Sequence, residues 1–552
     1  MTENLTLAEF PPVSTEQWDE VVRRDLKGAA PKTKLYYRAE DLRGLEYLDS
    51  APGEFPYTRG TRGNNAWRIR AVVHDAPAAR AALDAGADEI CFVVGEQNID
   101  EVLETLPRSG VHFEAGERAA EVLEALARRP VASGSVDYEP VADLDRAAKL
   151  IRAARTPQFR PVTIRAHRFS EAGSTTVQEL GFALAEGVEI VSQLTDRGLT
   201  PDEAAQALAF SFAIGSNYFL EIAKLRAART VWARAVASFQ PAHADAAKMT
   251  IYARTSHWTK TIYDPHLNLL RSTTEAMAAA VGGADSLQVE AFDEPYRAPD
   301  ESASRLARNT QLILKQEAWL DRSVDPAGGS YYLEVLTDSL AREAWKLFQQ
   351  IEAAGGFLKY SESGALERDI AKSRADREAA VGARRTAIVG TNQYPNLAER
   401  MLPKIQRQDS APRAARIFEE IRLRTERYAA RTGHTPRFLL LEAGDLKMRK
   451  ARSGFITNFF GCAGFEIQIA DALTGDPDAV VLCSADPEYA ALAPRLIRQL
   501  RDAGKATPVI VAGNPAESIE QLKQAGVADF VHVRSNAAEV LRAWQERLGV
   551  RD

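Results

Sequence analysis

From Trp67 to about Asp293, short apolar segments alternate with helix-length amphipathic ones, and no other property of this chain narrows its fold so far. The order runs WRIRAVVH, then PAARAALDAG; EICFVV, then NIDEVLETL; VHFEAG, then ERAAEVLEALA; SGSVDYEP, then VADLDRAAKLIRAA; PVTIRAH, then the long TTVQELGFALAEGVEIVSQL. Strand-length runs separated by helix-length ones read as βα units, because parallel neighbours need a crossover long enough to hold a helix. The pattern continues with helices over PDEAAQALAFSFAIGSN and FLEIAKLRAARTVWARAVA, strand MTIYART, helix LLRSTTEAMAAAVGG, strand SLQVEAFD and helix SRLARNTQLILKQEAWL. About seven strands in succession point to an eightfold β/α barrel rather than an open sheet. The eighth strand is expected in the Gly-Gly-Ser-Tyr-Tyr segment at 328–332.

A second, shorter rhythm starts at Arg437: RFLLLEA, FEIQIAD, AVVLCSA, TPVIVAG and DFVHVRS, with helices over YAALAPRLIRQLRDAG, AESIEQLKQAG and AAEVLRAWQERL. Five strands in this space make a small doubly wound domain of flavodoxin-like size. The expected organisation is an extended arm at 1–66 with one short helix around Glu16 to Leu26, a β/α barrel at 67–355, an Arg- and Ala-rich helical linker at 356–433 and the second α/β domain at 434–552.

Composition limits the function classes. A chain of 552 residues is too long for one ordinary core, and 45% hydrophobic with 26% charged residues is globular composition. The net charge of −7 is spread over both signs, which excludes a nucleic-acid-binding surface. No apolar run reaches the roughly 18 residues of a membrane helix, and MTENLTLAEFPPV carries no secretory or organellar pattern. Cys91, Cys462 and Cys483 lie far apart in apolar runs, as buried free thiols do, so a reducing, cytoplasmic setting is expected.

Five stretches in collinear order carry a resemblance: FPYTRG at 55–60, FAIGSNYFLEIAKLRAARTVWA at 212–233, NLLRSTTEAMAAAVGGADSL at 268–287, SRLARNTQLILKQEA at 304–318 and DPAGGSYYLEVLTDSLAREAW at 325–345. Together they resemble the methylmalonyl-CoA mutases. The resemblance implies a barrel that receives acyl-CoA through its centre and a flavodoxin-like domain holding adenosylcobalamin against the barrel mouth. It also implies a radical interconversion of methylmalonyl-CoA and succinyl-CoA.

The family's working residues can be checked place by place. Its cobalamin motif is Asp-x-His-x-x-Gly, and counting back from Gly464 puts Lys447, Arg449 and Arg452 in those three places. A guanidinium has no lone pair for cobalt. Of the eight histidines only His434 and His532 belong to the second domain; the first precedes its strand and the second is expected inside the last strand, so neither should reach the mouth. Ser484 and Gly513 stand where the family keeps a Ser and a Gly along the nucleotide tail, which plain loop chemistry also explains.

In the barrel, the place of the family's substrate-facing tyrosine is Arg62, and the place of its Tyr-His pair holds His167 and Arg168, ahead of Phe169, Ser170, Glu171, Ala172 and Gly173. Its carboxylate-clamping Pro-Pro-Glu-Pro-Ser-Met-Arg stretch has no counterpart between 133 and 165. Loss of metal ligand, acid and clamp together removes positioning as well as chemistry.

The resemblance therefore implies the small subunit of a heterodimer. Its homologous large subunit would hold adenosylcobalamin and carry out the isomerisation. No catalytic, cofactor-binding or metal residue is expected on this chain, which alone should be inactive. The arm at 1–66 would wrap the partner. The alternative is an acyl-CoA or anion-binding sensor in which Arg62, Arg168, Arg449 and Arg452 converge. His257 and His266, with Asp264, are too far apart in sequence to suggest a metal site, and Gly282-Gly283 and Gly328-Gly329 lack the spacing of a phosphate loop.

Overall fold

A computed structural model describes residues 14–25, 27, 53–140, 143–154, 156–407 and 411–551. Most of the expected arm lies outside these residues; its short helix spans Thr15–Asp25.

Eight parallel strands close into a barrel: β1 Arg68–Val73, β2 Glu89–Val93, β3 Val111–Glu114, β4 Ser133–Tyr138, β5 Gln158–Ile164, β6 Leu208–Ile214, β7 Ile251–Thr255 and β8 Ser286–Gln288. Closure is direct, since Arg68, Ile69 and Arg70 of β1 pair with Ser286, Leu287 and Gln288 of β8. Side-chain caps start several crossover helices. Asp75 caps Ala76–Asp84, Asn98 caps Ile99–Thr105, and Thr175 with Gln178 forms a capping box at the head of Thr176–Asp196.

The expected eighth strand was misplaced. The strand missing from the sequence reading is β6, inside the segment read as one helix from Pro201 to Asn217; the helix there ends at Gln206. The run LAFSFAI is buried along nearly its whole length, and a continuous apolar run has no period to separate strand from helix. At 328–332 the chain instead turns through Gly328 and Gly329 into the helix Tyr331–Ala353.

Helices Phe357–Glu362, Ala365–Gly382 and Arg416–Thr432 lead to a five-stranded parallel sheet: β9 Arg437–Glu442, β10 Glu466–Ala470, β11 Ala479–Cys483, β12 Val509–Val511 and β13 Val527–Phe530, in the order β10-β9-β11-β12-β13. This is the doubly wound order whose switch point lies between β9 and β11. Phe418 and Ile421 of the helix before the sheet share a core with Phe438, Phe460 and Trp544, and Trp258 from the barrel mouth enters the same core. That helix also binds the turn after β7: Glu419 accepts from Ile262 N–H at 2.7 Å and Glu426 from Tyr263 O–H at 2.8 Å. The sheet is thereby fastened to the carboxyl end of the barrel.

All three cysteines are buried and free, and burial pushes the Cys462 and Cys483 thiols up to about 12. Among the described residues no helix is long and apolar enough to cross a membrane.

Candidate functional site

A ligand threading a barrel of this kind needs an empty axis, and here the chain's own side chains fill it. Glu89 on β2 receives Arg68 at 2.5 Å and Arg70 at 3.5 Å from β1, the Ser286 hydroxyl at 2.7 Å from β8, and His112 Nε2 at 2.9 Å from β3. The same Nε2 faces Arg70 Nη2 at 3.1 Å, and Nδ1 shares a hydrogen bond with the Ser135 hydroxyl at 2.8 Å. His112 then meets Tyr252 edge to face, with centroids 4.9 Å apart. These two residues belong to β3 and β7, opposite staves of the eight-stranded ring, so their contact crosses the centre. The Arg70 guanidinium lies over the same Tyr252 ring at 4.1 Å.

Burial works against the Glu89 carboxylate, but His112, Arg70 and Arg68 outweigh it and hold the group well below the usual range. Burial and Arg70 hold the His112 ring down at about 4. At neutral pH the plug is an ionised Glu89 between arginines, with a neutral imidazole beside it.

Above the plug a cavity of about 120 Å³ remains, lined by Glu114, Asp137, Arg165, His167, Tyr252 and Arg254 among others. His167 opens the short helix after β5, and its Nδ1 faces the Ser211 carbonyl at 3.3 Å. Burial, with Arg254 beside it, lowers its pKa far below the ordinary value, so the ring is neutral. Arg168 is occupied by Glu139 at 2.7 Å and Glu186 at 2.9 Å; burial pushes Glu186 up to about 7 against the pull of that arginine.

The mouth also holds a carboxylate group that the sequence reading missed. Arg254 lies against Glu114 at 3.4 Å, Glu171 at 3.9 Å and Glu290 at 2.9 Å. Glu290 and Glu294 repel each other, and that repulsion, with burial, pushes Glu294 up to about 7. His266 stacks on Phe292 at 5.2 Å, while His257 joins the glutamates instead. A second cavity of about 470 Å³ lies between the barrel mouth and residues 377–389, where Arg271, Arg377 and the Ser174 hydroxyl face it.

Arg62 is at the other end. It binds the carbonyls of Ala66 and Ala284, each at 2.9 Å, and Asp285 at 3.2 Å, all just before the first residues of β1 and β8. Arg62 and Arg168 thus sit at opposite ends of the barrel and do not converge.

In the second domain the loop after β9 is only Ala443, Gly444 and Asp445; the cations lie on the helix Leu446–Gly461 that Asp445 caps through Met448 N–H at 2.8 Å. Lys447 is exposed, Lys450 pairs with Glu442 at 2.6 Å, and Arg452 pairs with Asp486 at 3.0 Å. His532 follows β13 rather than lying in it, so it does reach the carboxyl edge; burial and the nearby Arg534 and Arg452 lower its pKa.

The crevice at the switch point is filled from within. Glu488 accepts from the Ser484 hydroxyl and from the backbone N–H of Asp445 at 3.1 Å and Ala485 at 3.2 Å. A Cβ on Gly444 would stand 2.0 Å from Glu488 Oε2. Tyr489, fully buried, spans Ser484 and Ala512 through its hydroxyl. These groups bond to one another where a nucleotide tail would need them, and the helix head presents cations where a cobalt ligand would be needed. The residues do not fit cobalamin.

A family model described as methylmalonyl-CoA mutase matches residues 128–435. The methylmalonyl-CoA mutase small subunit of Porphyromonas gingivalis is 39% identical over 99% of this chain and 98% of its own length. That of Streptomyces virginiae is 33% identical over 92% and 93%. The methylmalonyl-CoA mutase large subunit of Streptomyces virginiae is 30% identical over 76% of this chain and 67% of its own. On a family model that matches more than half of its residues and relatives aligned along almost its whole length, the chain belongs to the methylmalonyl-CoA mutase family.

Proposed function

We propose that this chain is the non-catalytic small subunit of a heterodimeric, adenosylcobalamin-dependent methylmalonyl-CoA mutase. A homologous large subunit holds the cofactor and interconverts methylmalonyl-CoA and succinyl-CoA; this chain stabilises it, in the cytoplasm. The observation that carries the reading is the closed axis, where His112 and Tyr252 touch across the barrel over the Glu89 ion cluster. The filled crevice around Glu488 and Tyr489 supports it from the second domain. In this reading the arm at 1–66, the barrel at 67–355, the linker at 356–433 and the domain at 434–552 are the parts of one scaffold kept for its shape.

The test is co-expression with a large-subunit homologue that keeps Asp-x-His-x-x-Gly. A stable complex should form, with mutase turnover and one equivalent of cobalamin held by the large subunit, whereas this chain alone should show no turnover. Titration of this chain with CoA esters should give no heat. Measurable heat would instead favour an acyl-CoA or anion sensor, and failure to form a complex would reject the subunit reading.

A further inference from the structure

The turn after β7 and the segment after β8 bring His257, Glu290 and Glu294 together, with one ligand atom from each within 4.8 Å of the others. Glu290 is the centre of the group. Its Oε1 accepts from Arg254 Nη2 at 2.9 Å, while its Oε2, on a side chain only 4% exposed, has no hydrogen-bond partner. His257 Nδ1 stands 3.7 Å from that oxygen. This is too long for a hydrogen bond, but it is close to the spacing of two atoms on one small ion: ligands at roughly 2.0–2.2 Å from a tetrahedral centre lie about 3.3–3.6 Å apart.

The local charge points the same way. Arg254 is shared by Glu114, Glu171 and Glu290, Glu294 has Arg407 at 3.5 Å, and His257 stands 3.7 Å from Glu290, so four carboxylates face two guanidinium groups and one imidazole. Glu171 Oε1 is also buried without a hydrogen-bond partner, 3.9 Å from Arg254. A divalent cation offsets such a surplus, and a further neutral donor does not. The ligand atoms are held in place as well. Thr255 Oγ1 at the end of β7 accepts the Glu290 N–H at 2.9 Å, and Arg254 fixes the oxygen that faces away from the group, as outer partners of a metal-bound carboxylate do.

From this arrangement we infer that the chain carries a divalent transition-metal site at the mouth of its barrel. The ligands are His257 Nδ1, Glu290 Oε2 and a Glu294 carboxylate oxygen, with the remaining position taken by water. The imidazole selects zinc and its first-row neighbours over magnesium and calcium. The ion would tie the β7 turn to the β8 segment, and Trp258, next in sequence to His257, sits in the core shared with the second domain. The site does not depend on the subunit reading above.

The test uses the full-length chain, stripped with a chelator and titrated with cobalt(II) chloride while visible absorption is recorded, then back-titrated with zinc. A single ion per chain should bind, with the d–d bands of a four- or five-coordinate centre, and should raise the thermal unfolding temperature. His257→Asn should abolish the bands while circular dichroism shows the fold intact. Glu290→Gln should abolish them too, although it also strips a partner from Arg254, so the histidine variant decides. No stoichiometric ion on the native chain, or bands unchanged in His257→Asn, would overturn the site.

Discussion

At the residue scale the barrel axis is governed by a few polar side chains on otherwise apolar strands. Burial and Arg70 hold the His112 imidazole at about 4 against an ordinary 6.5. The unfolded chain therefore binds a proton on this ring between those values that the native chain refuses. This group's contribution is full above pH 6.5, declines as the pH falls, and levels off below 4. At 1.36 kcal/mol per pH unit the window amounts to about 3 kcal/mol. In His112→Gln that component should vanish, so the unfolding free energy of the native chain should fall more steeply than the variant's from about pH 7 to about pH 4.5. Equal slopes would mean that the ring is not held neutral. Gly134 is a second sensitive point: its φ is 141°, and a Cβ there would lie 1.7 Å from the Val111 carbonyl oxygen of β3. Gly134→Ala should open the β3–β4 pairing and destabilise the barrel by more than about 4 kcal/mol, read as loss of cooperative urea unfolding.

At the element scale the helices behind the barrel are locked by buried ion pairs. Arg226 on the helix Tyr218–Ser238 is fully buried between Asp325 at 2.9 Å and Glu334 at 2.8 Å, and also donates to Thr337 at 2.8 Å. Removing one partner of such a group strands the others without water. Arg226→Met should destabilise by about 3–5 kcal/mol in urea unfolding, and adding Glu334→Met should recover part of the loss. Most elements were legible because their period was: strands β1 to β5 and the helices between them alternate in the sequence as they do in space. The exception, β6, is apolar except for Ser211, and tertiary burial on both faces leaves no polar stripe by which to recognise it. The plug was half legible. Arg70 and His112 break apolar strands at inward positions, but only the closed ring brings residues of β1, β2, β3 and β7 to one point.

For the whole molecule, the proposed non-catalytic role rests on two places, the barrel axis and the switch point of the second sheet, rather than on one absent ligand. Arg449→His restores an imidazole at the place where the family's cobalt ligand stands, yet Glu488 and Tyr489 still fill the switch point. That variant should leave the absorption spectrum of added cobalamin unchanged; a shift characteristic of histidine ligation would show that the crevice opens. Trp258 joins the barrel to the second core, so Trp258→Ala should separate the unfolding of the two, visible as two calorimetric transitions, at a cost of about 3–5 kcal/mol. The sequence by itself determined the two βα rhythms, the family resemblance and the run of cations at the head of the helix after β9, because periodicity and residue chemistry are local properties. Only the tertiary structure decided that Arg62 and Arg168 lie at opposite ends, that the axis is shut, and that His257 meets Glu290 and Glu294. Each of these depends on which residues of distant strands point to the same side of a closed barrel, and no sequence spacing encodes that distance.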